Sequence, residues 1–419
     1  MTKTMEIINS FKTPCPCGRV HETSVKHVEI KKGIVNSVGD ILLKNSFPKS
    51  ILLVADKDTL NAASGITNSL KDFNVEFKVY ESLRVAEMKN VNDIREIIKD
   101  RDVGVLAVGT GSIHDVCRLS SAMENKLLCV FATAPSMDGF ASYSSPIVNN
   151  GFKISYPAKS PEVIIGDTEI LAKAPVELKS AGFGDMISKY VALIDWKVSA
   201  LLTGEYYCEK IASLTREATD EIFSMADKVT SSDEETAGKI MESLLKTGIG
   251  MSFSQNSRPA SGAEHIVSHL IECVELREGK TPNYHGEDVG VATLEVLKLY
   301  NELAKLETIK AVKEKVNWQE VYSYYGSMQE EVRKVNEPDT IADLVSVKAL
   351  EEKWELIREI IASVPSYEQC KEAMIKAGCK ITIKDIGKSQ KLFKECLTYS
   401  PFMRKRLTLL RIKDMIQSI

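Results

Sequence analysis

Long apolar runs are missing from this 419-residue sequence. None approaches the roughly 20 residues a helix needs to cross a bilayer, so membrane insertion is not expected. An excess of basic charge is missing too: 54 Lys and Arg stand against 58 Asp and Glu, a formal net charge of −4. Nucleic-acid binding draws much of its affinity from neutralised phosphates, and that electrostatic footprint is not here. The first residues, MTKTMEIINSFK, contain no apolar core of the kind a secretory leader needs, so a cytoplasmic location is expected. Nine Cys, odd in number and scattered, speak against a disulfide framework and for a reducing compartment. Internal repeats and low-complexity segments are also lacking. What is left is a chain of ordinary globular composition, long enough for two domains.

Through about residue 165, short apolar runs alternate with helical patterns. SILLVAD (50–56), EFKVY (76–80), DVGVLAVG (102–109) and LLCVFATA (127–134) read as strands, and NDIREIIKD (92–100) as a helix. Such alternation predicts an α/β domain over residues 1–168, with a doubly wound, mostly parallel, Rossmann-like sheet. Past Pro157, Pro161 and Pro175 the strands largely stop, and residues 169–419 are expected to form an all-α domain. Leu350, Trp354, Ile357 and Ile361, spaced by four, three and four, trace one apolar stripe that reads as core. Ligands of such sheets bind beyond the carboxyl ends of the strands, so the cleft between the two domains is the place to look.

Several segments carry chemistry. VGVLAVGTGSIHD (103–115) runs from a strand through Gly109, Gly111 and Ser112 into a helix. Glycine allows a close backbone approach, and the helix N-terminus offers unpaired N–H groups to a pyrophosphate. A tight turn without ligand has the same pattern. Asp56 ends an earlier strand, either as a carboxylate for an adenine-side ribose, which would disfavour a 2′-phosphate, or as a helix cap. ATAPSMDGFASYSSP (132–146) is dense in small and hydroxylic residues, with Asp138 its single charge. SGAEHIVSHL (261–270) puts His265 and His269 on one helix face, but its Glu precedes the first His, which does not suit a zincin protease. CPCGRVH (15–21) offers Cys15, Cys17 and His21. Structural zinc usually takes four ligands with wider Cys spacing, so a knuckle completed by another residue and a reduced turn both remain open.

Taken in order, GTGSIHD, the APSMDG loop, AGFGDMISKY (181–190), SRPASGAEH (257–265) and NYHGEDVGV (283–291) resemble the sn-glycerol-1-phosphate dehydrogenase family. That family lies within the group of iron-containing alcohol dehydrogenases, glycerol dehydrogenases and dehydroquinate synthases. The resemblance runs from about residue 25 to 300, and the last hundred residues look like the longer helical tail of the family's bacterial branch. It implies one divalent metal on Asp185, His265 and His285 in the helical domain; zinc suits that set, and iron, cobalt or nickel fit it too. It implies an NAD(P)H cofactor contacting Asp56, Gly109, Gly111, Ser112, Ile113, His114, Asp115, Thr133, Ser136 and Ser142. Asp138 and His269 are the implied catalytic residues, both meeting substrate beside Asp185, and Arg258 and Lys153 are candidate phosphate contacts. The implied reaction is reversible reduction of dihydroxyacetone phosphate to sn-glycerol 1-phosphate by a homodimer. A polyol dehydrogenase and a cyclase like dehydroquinate synthase are the alternatives of the same fold, and a zinc-dependent interaction module is the non-enzymatic one. Thr110 departs from the family, which often has a third glycine there.

Overall fold

A computed structural model describes residues 3–417. Strands β1 (His27–Ile30), β2 (Ser50–Asp56), β3 (Asn74–Tyr80), β4 (Gly104–Gly109), β5 (Leu128–Ala132), β6 (Ser144–Asn149), β7 (Phe152–Pro157) and β8 (Val163–Gly166) precede the main helical region. Six of them form one wholly parallel sheet in the order β1-β8-β5-β4-β2-β3. The central strands are buried on both faces, which is why they read as unbroken apolar runs and not as alternation. β3 lies at the edge and keeps Asn74, Glu76 and Phe77 exposed. From β2 the chain adds β3 on one side and then β4 on the other. The reversal leaves a crevice at the carboxyl ends of the strands, the usual ligand position in open α/β sheets.

The four runs read as strands from sequence are strands, and the helix expected over 92–100 is Met88–Ile98. β1, β8 and the β6–β7 hairpin were not legible from sequence periodicity. β1 and β8 have four residues each, too few to show a period, and β1 pairs only with a strand more than 130 residues away. The hairpin turns on Asn150 and Gly151, both with left-handed φ (50° and 77°), as a two-residue Asn-Gly turn requires.

Beyond residue 175 helices dominate, chief among them Val176–Ile187, Lys189–Thr203, Glu209–Phe223, Glu234–Ser254, Ala263–Arg277 and His285–Leu303. The stripe of Leu350, Trp354, Ile357 and Ile361 is buried as expected, on two short helices that meet at Lys353. Among the described residues no helix is long and apolar enough to cross a membrane.

One packing contact decides where the site can form. Helices Val176–Ile187 and His285–Leu303 cross at Gly184, Gly286 and Gly290. A Cβ on Gly286 would stand 1.8 Å from the Ala181 carbonyl oxygen, and one on Gly184 would stand 2.4 Å from the Gly286 carbonyl oxygen. Backbone cannot yield as a side-chain tip does. Gly286→Ala is therefore expected to push the helices apart, costing at least the ~1–3 kcal/mol of an overpacked core. The expected outcome is a lowered melting temperature together with lost metal at the site described next, read by differential scanning calorimetry and metal analysis.

Candidate metal and dinucleotide site

A cavity of about 370 Å³ opens where the turns after β4 and β5 face the helices Ala263–Arg277 and His285–Leu303. On the helical side Asp185, His265 and His285 bring three donor atoms within 4.8 Å of one another. Asp185 sits near the end of its helix, which begins at Val176 behind Pro175. Its side chain is fully buried. Oδ1 accepts from Lys189 Nζ at 2.6 Å, and Oδ2 accepts from the Asp138 backbone N–H at 2.9 Å. The second bond ties the APSMDG loop to the carboxylate.

His265 Nδ1 meets Glu264 Oε1 at 2.7 Å, leaving Nε2 to face Asp185 Oδ1 at 3.5 Å. A carboxylate behind an imidazole fixes the tautomer and raises its basicity toward a cation. His285 opens its helix, and among the described residues its buried Nδ1 has no hydrogen-bond partner. Burial depresses the pKa of His285 well below the ordinary histidine value, so that ring stays neutral and keeps a lone pair. Burial would raise the Asp185 carboxyl, but the Lys189 ammonium and the His265 hydrogen bond outweigh it and hold the group well below its usual range. An ionised carboxylate and two imidazoles, one of them unsatisfied, fit a divalent cation and leave coordination positions open.

His269 lies on the cavity wall, its ring 5.7 Å from that of His285 and roughly parallel to it. Burial, with Lys153 and His285 adding to it, holds this imidazole neutral, with a pKa well below the ordinary value. Asp138, also on the wall, pairs with Lys189 Nζ at 2.9 Å. Burial and the neighbouring Asp185 raise its pKa. Lys189 is thus a fully buried ammonium shared by two carboxylates, four residues after Asp185 on the chain. That spacing was visible in AGFGDMISKY, but lysine at such a step usually forms a surface pair, and nothing local marked it as buried.

Across the cavity, Gly111 opens the helix Gly111–Met123. No side chain among the described residues caps this N-terminus, and Thr110, Gly111 and Ser112 line the cavity. First-turn N–H groups without a side-chain acceptor, facing an open space, fit a phosphate. Thr110 has φ −133°, ordinary extended backbone, so the missing third glycine costs no strain. Asp115, Ser136 and Ser142 also lie on the wall. Burial pushes the Asp115 carboxyl up to about 6 in spite of the Arg118 guanidinium 2.6 Å away.

Gly109, Ile113, His114, Thr133 and Asp56 are not on this wall. Ile113 and His114 turn into the core under the helix, and Gly109 and Thr133 close the sheet through the Thr133 N–H to Gly109 carbonyl bond. Asp56 caps the helix Lys57–Ala62, accepting from Thr59 N at 2.9 Å, at the carboxyl end of β2.

The two candidate phosphate contacts part company. Lys153 lines the cavity, although its ammonium already pairs with Glu272 at 2.6 Å. Arg258 is not brought there: its guanidinium is buried against Glu205, the Ser199 hydroxyl and the Leu407 carbonyl. Instead Arg404 and Arg406 reach the wall from the C-terminal segment. Arg406 donates to Ser257 Oγ at 2.7 Å and Ser261 Oγ at 2.9 Å, while Arg404 donates to the Lys153 carbonyl at 2.7 Å. Neither forms an ion pair among the described residues. Burial, with Arg258 adding to it, brings Arg406 down to about 9, the mark of a cation without a counter-ion. The clue in the sequence was the RKR run at 404–406, about 140 residues from SRPASGAEH, and no local pattern links the two.

A parallel sheet ending in a helix terminus with no side-chain cap among the described residues, facing an Asp–His–His set on helices, defines the class of iron-containing alcohol dehydrogenases. The model of that family matches residues 29–175. The chain is 32% identical to the glycerol-1-phosphate dehydrogenase of Bacillus licheniformis, covering 95% of this chain and 91% of the relative. It is also 32% identical to that of Halalkalibacterium halodurans, over 71% of this chain and 76% of the relative. Among solved structures, the NADH-dependent butanol dehydrogenase A of Thermotoga maritima superposes with a TM-score of 0.60 over 95% of each chain at 16% identity, a likeness of fold. This chain belongs to the glycerol-1-phosphate dehydrogenase family.

Proposed function

We propose that this protein is an NAD(P)-dependent glycerol-1-phosphate dehydrogenase that reversibly reduces dihydroxyacetone phosphate to sn-glycerol 1-phosphate. The observation that carries the reading is the Asp185, His265 and His285 donor set facing an uncapped helix terminus across one cavity. Bound on those three side chains, a divalent metal, which we take to be zinc, supplies positive charge to the carbonyl oxygen, and the nicotinamide supplies hydride.

The protein's own residues do the rest. Lys189 keeps Asp185 ionised and holds Asp138 in place from behind, so the loop and the carboxylate move as one unit. Asp138 stands where the loop meets both substrate and nicotinamide ring. Neutral His269 accepts or donates a hydrogen bond at a substrate hydroxyl without adding charge, and the product proton comes by way of that hydroxyl or water. The N–H groups of Gly111 and Ser112 receive the pyrophosphate, with Ser136 and Ser142 bordering the ring. Arg404 and Arg406, with Lys153 beside them, receive the substrate phosphate, replacing Arg258 in that role. We assign the metal- and substrate-bearing side to a helical domain over 169–419 and the dinucleotide side to 1–168. The nine unbridged cysteines favour a cytoplasmic location. A homodimer is carried over from the family resemblance.

The deciding experiment follows NADH and NADPH oxidation by metal-replete protein with dihydroxyacetone phosphate and with unphosphorylated dihydroxyacetone, with chiral analysis of the product. Strong preference for the phosphate and formation of sn-glycerol 1-phosphate are expected. Equal turnover of both ketones would overturn the phosphate assignment, and turnover without net NADH change would point to a cyclase.

Asp56 gives a separate test of the cofactor site. Asp56→Gly is expected to improve NADPH use relative to NADH in kcat/KM, because a carboxylate that repels a 2′-phosphate is removed. Glycine at a helix N-cap costs only a few tenths of a kcal/mol, so the ratio can be read in folded enzyme. An unchanged ratio would take Asp56 out of the cofactor site.

A further inference from the structure

The CPCGRVH segment gains its missing partner in three dimensions. Cys15, Cys17, His21 and Cys208 place four donor atoms within 4.8 Å of one another. Cys15 Sγ lies 3.6 Å from Cys208 Sγ, Cys17 Sγ lies 3.4 Å from His21 Nε2, and Cys208 Sγ lies 3.7 Å from His21 Nε2. Tetrahedral zinc with Zn–S near 2.3 Å and Zn–N near 2.0–2.1 Å requires S···S separations of about 3.8 Å and S···N separations of about 3.5 Å. The observed spacings are close to those values. A disulfide needs the two sulfurs at about 2.05 Å, and 3.6 Å is far outside that.

The surroundings orient the donors. His21 Nδ1 meets the Phe253 carbonyl oxygen at 3.0 Å, which makes Nδ1 the protonated nitrogen and leaves the Nε2 lone pair facing the thiols. Phe11 stacks on Phe253 at 4.4 Å and sets its edge against the His21 ring, forming an apolar wall. Tyr206 Oη stands 3.5 Å from Cys17 Sγ, near enough to donate to a thiolate. His21 and Cys208 are buried and Cys15 and Cys17 half-buried. We propose that these four side chains bind a structural zinc ion, a second metal per chain separate from the one in the cavity. Three sulfurs and one imidazole complete a tetrahedron with no open position, the mark of a structural and not a catalytic zinc.

This ion fastens two pieces of chain far apart in sequence, and the His21 bond to the Phe253 carbonyl ties in a third. Residues 15–21 come from the N-terminal segment, Cys208 is the residue before helix Glu209–Phe223, and Phe253 lies in the last turn of helix Glu234–Ser254. The chain leaving that last helix supplies Asn256, Ser257 and Ser261 to the cavity wall. The clamp therefore holds the root of the segment that positions Arg406.

The test uses full-length protein purified under reducing conditions. Elemental analysis is expected to give two metal equivalents per chain in wild type, with one lost in Asp185→Asn and the other lost in Cys208→Ser. Protein refilled with Co²⁺ is expected to show the intense near-ultraviolet thiolate-to-cobalt charge-transfer band, retained in Asp185→Asn and lost in Cys208→Ser. The band in wild type and Asp185→Asn decides the matter even if Cys208→Ser fails to fold. Its absence from both overturns the proposal, as does a Cys15–Cys208 disulfide found by mass spectrometry. Because thiolate absorption reports this site alone, failure here leaves the catalytic reading untouched, and failure of that reading leaves the band in place.

Discussion

Asp185→Asn is expected to lower kcat/KM for dihydroxyacetone phosphate by roughly 10³-fold or more and to release the cavity metal. The estimate follows from the several kcal/mol that a cation contributes at a developing oxyanion, at 1.36 kcal/mol per tenfold in rate. Asparagine keeps the volume but offers a single acceptor oxygen, so it retains only one of the two bonds that now go to separate carboxylate oxygens, from Lys189 Nζ at 2.6 Å and from the Asp138 N–H at 2.9 Å. What it removes is the negative charge opposite His265 Nε2. Lys189 keeps Asp138 as a counter-ion at 2.9 Å, so the substitution does not strand a buried ammonium. Steady-state kinetics beside elemental analysis reads both effects. Full activity with undiminished metal would remove Asp185 from the ligand set.

The second large effect is expected at Arg404 and Arg406. Changing either to methionine is expected to raise KM for dihydroxyacetone phosphate by roughly 30-fold or more, the lower end of the 2–5 kcal/mol for losing one partner of a buried charge pair. Turnover of unphosphorylated dihydroxyacetone should change little, since that ketone has no group for either guanidinium to hold. Stability should move the opposite way from most core substitutions. Both arginines are half-buried and, among the described residues, have no carboxylate ion-pair partner, and exchanging such a cation for an apolar side chain removes a desolvation cost. A melting temperature that holds or rises while KM climbs separates anion recognition from a structural role. Were both ketones to lose turnover equally, the phosphate site would have to be sought elsewhere on the cavity wall.

Much of the site was legible because its chemistry sits in compact motifs. Gly109 to Asp115 announced a strand turning into a helix, and the APSMDG loop, Asp185, His265 and His285 each lay in a short segment with a recognisable resemblance. Sequence separation hid what remained. Lys189 is a lysine at an ordinary helical step until the fold buries it between two carboxylates. Arg404 and Arg406 sit in a basic run at the far end of the chain, and Cys208 is one unremarked cysteine 187 residues beyond His21. Arg258 shows the converse: it lies within the diagnostic SRPASGAEH run, yet Glu205, brought in by the fold, takes its charge away from the cavity.

By itself the sequence determined the layered α/β architecture with a helical second half, the family, and the types of side chain that can hold a metal and a phosphate. Those depend on local periodicity and on the identity of residues, which a linear chain displays. Tertiary structure alone decided which cations lack partners, which histidines stay neutral, and which fourth cysteine completes the N-terminal cluster. Charge pairing and desolvation act across a few ångströms of space, whatever the distance along the chain, and only packing such as the Gly184–Gly286 crossing sets those distances.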